Sequence, residues 1–164
     1  MNLNHVEVYA APVNEKETIS NLMHFYAYDF SEYMDMDIEE DGLYAPYPYL
    51  NDYWTEPDFR FPYLFKVNGK HAGFALVRKI QTAEKTFFSM AEFFVMKKYR
   101  RQGVGKLAAI ALFDLHSSPW EVFQLKTNIP AQHFWNKVIS EYARGQYTEH
   151  DEQGDKTQAF VAGR

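Results

Sequence analysis

The stretch from Ala91 to Ile110 constrains this chain more than any other. Residues Phe87 to Met96 are aromatic and β-branched, which predicts a buried strand. Further on, Val104, Leu107, Ala108, Ala111 and Leu115 recur at helical spacing. Between them lies a cationic loop, Lys97, Lys98, Arg100 and Arg101, followed by Gly103 and Gly105. A strand, a glycine-bearing basic turn and a helix start together make an anion site. The first amides of a helix have no partner within it, its dipole is positive there, and glycine lets a phosphate approach the backbone. The stretch therefore predicts a phosphate-bearing ligand on Arg100, Arg101, Gln102, Gly103, Val104, Gly105 and Lys106.

Spacing separates the phosphate loops that such a stretch could be. A nucleotide P-loop, counted back from Gly105 and Lys106, needs glycine where Arg100 stands and a hydroxyl where Leu107 stands. The dinucleotide fingerprint is met literally by Gly103, Gly105 and Ala108. Its strand, however, should run almost directly into the first glycine, and Lys97 to Gln102 intervene. A nicotinamide-dependent enzyme is the reading that goes with this match. The third pattern, [RQ]-x-x-G-x-[GA], is filled by Arg100, Gly103 and Gly105.

A second motif follows: Asn128, Ala131, Phe134, Trp135 and Lys137, in the order N-x-x-A-x-x-F-[YW]-x-K. Together the two motifs resemble the GNAT superfamily of acyl-coenzyme A N-acyltransferases. Glu92 to Arg100 is similar to the fourth strand of the diamine (spermidine/spermine-type) acetyltransferases. The resemblance covers Pro62 to Lys137 well and the N-terminal part by pattern only. It implies an α/β (α+β) fold: a mixed, mostly antiparallel sheet of six or seven strands with about four helices, splayed between the fourth and fifth strands. A single N-acetyltransferase domain spanning 1–164 is expected.

The resemblance also implies the chemistry. Acetyl-coenzyme A would be the donor, with no metal, and the acceptor a primary amine of a small, cationic molecule attacking directly in a ternary complex. Backbone groups of Phe94, Val95 and Met96 would hold the pantetheine arm and polarise the thioester. Asn128 would bond that arm or fix the local backbone, and Phe134 and Trp135 would flank the thioester. Glu92 is the candidate base, and a structural ion pair is its other reading. Many family members carry a tyrosine acid where Trp135 stands, so a tyrosine of the 44–53 cluster could substitute, or the thiolate leaves unaided. His133 reads as a surface residue. The alternative function is a non-catalytic acyl-coenzyme A sensor of the same fold.

Composition sets bounds. The net charge of −5 supplies no phosphate-neutralising face for nucleic acid. The chain has no cysteine, which excludes disulfides and thiolate zinc sites and suits a cytoplasmic protein. The histidines show no H-x-x-x-H spacing and no serine stands in G-x-S-x-G. Met1 to Tyr9 lacks the basic and apolar regions of a signal peptide, and no apolar run reaches membrane-spanning length. Oligomeric state, a homodimer included, stays open.

Several local expectations complete the reading. Asn14 and Glu17 suggest a capping box before a helix over about 15–30. Seven acids between Asp29 and Asp41 suggest either a solvated loop or an anionic wall beside a cleft. The aromatic cluster from Tyr44 to Tyr63, broken by Pro46, Pro48, Pro57 and Pro62, excludes a central strand or long helix and suggests a rigid cover over the acceptor end. Asn68 and Gly69 predict a hairpin between strands 63–67 and 71–78, and Gly73 a bulge or close approach. Strands are expected over 121–126, 146–150 and 157–161, the last two closing around Asp155.

Overall fold

The computed structural model describes residues 5–163. In chain order the elements are β1 (Val6–Ala10), α1 (Lys16–Phe30), α2 (Asp52–Thr55), β2 (Arg60–Val67), β3 (Lys70–Gln81), β4 (Thr86–Val95), α3 (Val104–Leu115), β5 (Pro119–Gln124), α4 (Ile129–Tyr142), β6 (Tyr147–Glu152) and β7 (Asp155–Val161). The strands form one seven-stranded sheet in the order β1-β2-β3-β4-β5-β7-β6. All neighbours are antiparallel except β4 and β5. This is the mixed sheet with four helices that the motifs implied.

Each face of the sheet buries its own core. Ala75 and Val77 of β3 turn to one side with Val104, Leu112 and Phe113 of α3 and Trp135 and Ile139 of α4. Phe74 and Leu76 turn to the other, under Ile19 and Leu22 of α1 and Tyr53 of α2. The two-residue alternation of a pleated strand produces this division.

The feature that positions the site is a loss of pairing. β4 and β5 are joined only at Phe88 with Trp120 and Ser89 with Glu121. Beyond that point β4 continues to Val95 without a partner on that side. The cause lies across the strand: Leu76 pairs with Glu92 and Val77 with Met90, so Ala91 is an extra residue. Such a bulge bends and over-twists its strand, turning the end of β4 away from β5.

Several local expectations change. The Asn14–Glu17 capping box does not form: Val13–Glu15 is a 3-10 turn, and the residue before α1 is Glu15, whose carboxylate accepts the Tyr9 hydroxyl. Pro62 lies within β2, between β1 and β3, where its density of neighbouring prolines argued against a strand. The position tolerates it because its backbone faces β1 just past the last pair, Ala10 with Tyr63, where only its carbonyl is used, by the Ala11 N–H. β5 covers 119–124 rather than 121–126. The final hairpin turns at Gln153 and Gly154, both at positive φ, so Asp155 begins β7 instead of sitting in the turn. Asn68 and Gly69 make the expected turn, with φ of 49° and 78°. Gly73 is both bulge and close approach: the register shifts beside it, and a side chain there would collide with the Phe94 carbonyl. The reading of Met1 to Asn4 lies outside the described residues.

Candidate active site

The gap between β4 and β5 is part of a cavity of about 1390 Å³. One end is lined by the loop from Arg100 to Lys106 and the start of α4, the other by α1, Tyr44 to Pro48 and Glu92.

At the first end, Arg101 takes the left-handed region at φ 59°, and Gly103, the residue before α3, does so at φ 82°. The first bond of the helix runs from the Leu107 N–H to the Gly103 carbonyl at 3.0 Å. Among the described residues, no acceptor meets the backbone N–H groups of Arg101 through Lys106. A left-handed residue followed by helical ones turns successive N–H groups toward one point, the concavity that holds phosphate oxygens. Gly105 serves packing: a Cβ there would lie 3.1 Å from the Phe134 ring. The loop therefore fits a diphosphate, and it does so through its backbone.

Its side chains are largely engaged elsewhere. Arg100 donates from Nε to the Val95 carbonyl at 2.8 Å, pairs with Asp29 at 2.7 Å and lies over the Phe94 ring. Lys106 pairs with Glu141 at 2.5 Å, and Gln102 donates to the Lys98 carbonyl at 2.9 Å. Arg100 thus ties α1 to the end of β4. Arg101 is exposed, lines the cavity and makes no ion pair among the described residues.

The backbone groups expected to meet the pantetheine arm need correction. The Met96 N–H donates to the Ala72 carbonyl at 2.8 Å, so it faces β3. By alternation Phe94 faces β3 too, and Phe93 and Val95 present their backbone to the opened side. Met96 is therefore not available as a donor, and Phe94 reaches the cavity only as a ring. Phe93 was missed because the position of the bulge, which sets which backbone groups face outward, is not legible in the residue types.

On the α4 side, Asn128 accepts the Ala131 N–H at 3.2 Å, so it fixes the local backbone as a helix cap. Phe134 stacks on Phe93 at 5.8 Å, and Trp135 meets the same ring edge-on at 4.9 Å. Trp135 is 6% exposed and belongs to the core as much as to the cavity wall. His133 is exposed, a surface helix residue.

At the other end the Tyr26 hydroxyl donates to Glu92 Oε2 at 2.5 Å, and Tyr47 lies beside the same carboxylate. No cation pairs with Glu92 among the described residues. Burial pushes its carboxyl above the ordinary range, with the two tyrosine hydroxyls pulling the other way. Burial, and then the negative charge of Glu92, hold Tyr26 well above a normal phenol and raise Tyr47 as well. The structural ion pair considered for Glu92 is absent. Tyr26 carries no chemical signal in the sequence, where it is one apolar step among others on the inner stripe of a helix. Of the acidic run, Asp29 is neutralised by Arg100, and Asp37 is exposed and lines the cavity.

A bulge-opened slot with free helix-start amides at one end and a half-buried carboxylate at the other defines an acyl-coenzyme A-dependent N-acetyltransferase. The chain belongs to the acetyltransferase (GNAT) family, whose model matches residues 23–139. Solved structures share the fold. A GNAT-family acetyltransferase from Streptococcus agalactiae is 16% identical with a TM-score of 0.67, over 97% of this chain and 96% of that one. An aminoglycoside acetyltransferase from an uncultured soil metagenomic sample is 15% identical with a TM-score of 0.65, over 82% and 88%. The PaiA N-acetyltransferase from Thermoplasma acidophilum, in complex with coenzyme A, is 9% identical with a TM-score of 0.63, over 96% and 99%. No curated protein sequence matches the chain. Among the described residues no group of three or more acids or histidines stands where it could hold a metal. No helix there is long and apolar enough to cross a membrane.

Proposed function

We propose that the chain, as a single domain, transfers the acetyl group of acetyl-coenzyme A to the primary amine of a small acceptor that arrives as an ammonium ion. Glu92 carries this reading: a half-buried carboxylate without a counter-ion among the described residues, in the same cavity as the unbonded amides of residues 101–106.

Bound acetyl-coenzyme A supplies the thioester whose acetyl carbon takes the amine lone pair as its carbon–sulfur bond breaks. The amides of Arg101 to Lys106 hold the diphosphate, with Arg101 adding charge. The Val95 N–H faces the slot and is the donor that can meet developing charge on the thioester oxygen. Phe134 and Phe93 wall the slot and exclude water. Glu92 attracts the ammonium and takes its proton, leaving a neutral nucleophile. A raised carboxyl suits this work, because its basicity lies closer to that of the proton donor. Tyr26 and Tyr47 orient the carboxylate, and the departing thiolate takes the proton that the nitrogen sheds as the amide forms. The exposed acids from Asp35 to Asp41 raise the local concentration of cationic acceptors.

The test is calorimetry with coenzyme A followed by free-thiol release from acetyl-coenzyme A over a panel of primary amines. Micromolar to sub-millimolar coenzyme binding and amine-dependent thiol release are expected. No coenzyme binding at millimolar ligand overturns the proposal.

A further inference from the structure

We propose that the acceptor carries a carboxylate beside its amine, and that Arg78, with Arg60 and Tyr53, takes that carboxylate; the proposal rests on Glu92 as the partner of the amine. The acceptor class is then the amino acids, not simple amines.

Arg60 and Arg78 stand directly opposite each other in the β2–β3 ladder. Like charges at such a position repel, so the arrangement calls for an anion between or above them. Both face the α1 side of the sheet: Leu64 and Leu76 belong to the core there, and the arginines follow them at even spacing. Glu92 pairs with Leu76. The two arginines differ in what answers them. Arg60 pairs with Glu56 at 2.9 Å and lies 5.6 and 5.5 Å from the ring centres of Tyr49 and Tyr53. Arg78 has no ion pair among the described residues, and its Nε is buried without an acceptor.

A second polar group is unsatisfied at the same place. Tyr53 is 2% exposed, and its hydroxyl, beside Arg60 and the Tyr47 hydroxyl, makes no hydrogen bond of good geometry. A buried donor left unbonded is costly, and two around one arginine pair point to a missing acceptor. A carboxylate there would bond the guanidinium fork, accept the Tyr53 hydroxyl and relieve the repulsion together.

The place borders the cavity, whose wall there is Tyr47. Tyr47 lines the cavity, and its hydroxyl neighbours both Glu92 and that of Tyr53, so one side chain separates the carboxylate from the arginines. Along β3, Arg78 is two residues beyond the partner of Glu92, about 7 Å. That interval matches an ammonium and a carboxylate borne on one or a few carbons. Met23, Phe30, Met36 and Tyr44 add apolar surface to the same wall, which would take the rest of the molecule.

Matched pairs that differ only in the carboxylate test this: phenylalanine against 2-phenylethylamine, and lysine against cadaverine, by thiol release from acetyl-coenzyme A. At least one amino acid is expected to exceed its decarboxylated partner in kcat/KM by about tenfold or more. In Arg78→Met that ratio falls toward one. If that variant fails to fold, Arg78→Lys, which keeps the charge and loses the fork, lowers the ratio by a smaller factor. Decarboxylated amines turned over as well as or better than the amino acids overturn the carboxylate site and leave the amine transferase standing. A ratio unchanged in both variants overturns it too. No turnover of either class, with coenzyme A still bound, removes the amine-transfer reading and this proposal with it.

Discussion

Replacing Glu92 with glutamine separates what this residue does for the reaction from what it does to the fold. The amide keeps an oxygen for the Tyr26 hydroxyl that now bonds Oε2 at 2.5 Å, so the local geometry has a reason to survive. It removes a half-buried negative charge that no cation among the described residues pairs with. Losing a positioned general base lowers kcat by about 10²- to 10⁴-fold. Neutralising a desolvated carboxylate adds stability at neutral pH, because burial penalises the charged form. The melting temperature of the variant is therefore expected to rise there. Burial raises the folded-state carboxyl above its unfolded value. The wild-type contribution to stability is therefore full in acid, below the unfolded value, and is lost as pH rises through the folded one. The advantage of the variant must then appear at neutral and alkaline pH and disappear in acid. Wild-type kcat climbs with pH through the same raised value, as the base form fills, and the variant lacks that limb. Thermal melts and thiol-release assays over a pH series measure both. A variant within about threefold of wild-type kcat, or one that melts several degrees lower at neutral pH, refutes the reasoning.

Other substitutions probe the scaffold around the slot. Gly73→Ala drives a Cβ into the Phe94 carbonyl, which is backbone and cannot swing aside; a loss of about 1–3 kcal/mol is expected in urea unfolding, with weaker coenzyme binding because β4 shifts. Gly103→Val forces a branched residue to φ 82° at the head of α3, costing roughly 1–2 kcal/mol and re-aiming the anion-binding amides, so coenzyme A affinity by calorimetry falls more than amine affinity. Asn128→Ala deletes the bond to the Ala131 N–H and lowers stability by about 0.5–2 kcal/mol in the same unfolding assay; wild-type stability in this variant would show that the cap contributes nothing.

How much of this was legible beforehand varies with the range of the interaction that decides it. The run from Phe87 through Leu115 announces strand, basic turn and helix because each is set by near neighbours: aromatic alternation, glycine at positive φ, apolar residues at helical spacing. The Asn68–Gly69 turn is local in the same sense. Side-chain destinations are not. Arg100 looked like a phosphate ligand, but Asp29, 71 positions away, and the Val95 carbonyl hold it. Pro62 looked like a strand breaker, yet the sheet accepts it where the β1 ladder has just ended.

Sequence by itself determined the strand, basic glycine turn and helix from Phe87 to Leu115, the Asn68–Gly69 hairpin and the two motifs that reveal the family, since all depend on contacts within a few residues. Only the tertiary structure decided which backbone groups face the slot, through one extra residue at Ala91, and which side chains surround Glu92. Tyr26 and Tyr47 reach that carboxylate from separate segments. The meeting of these tyrosines with Glu92 is a property of the packed sheet, where burial raises the proton affinity of a carboxylate.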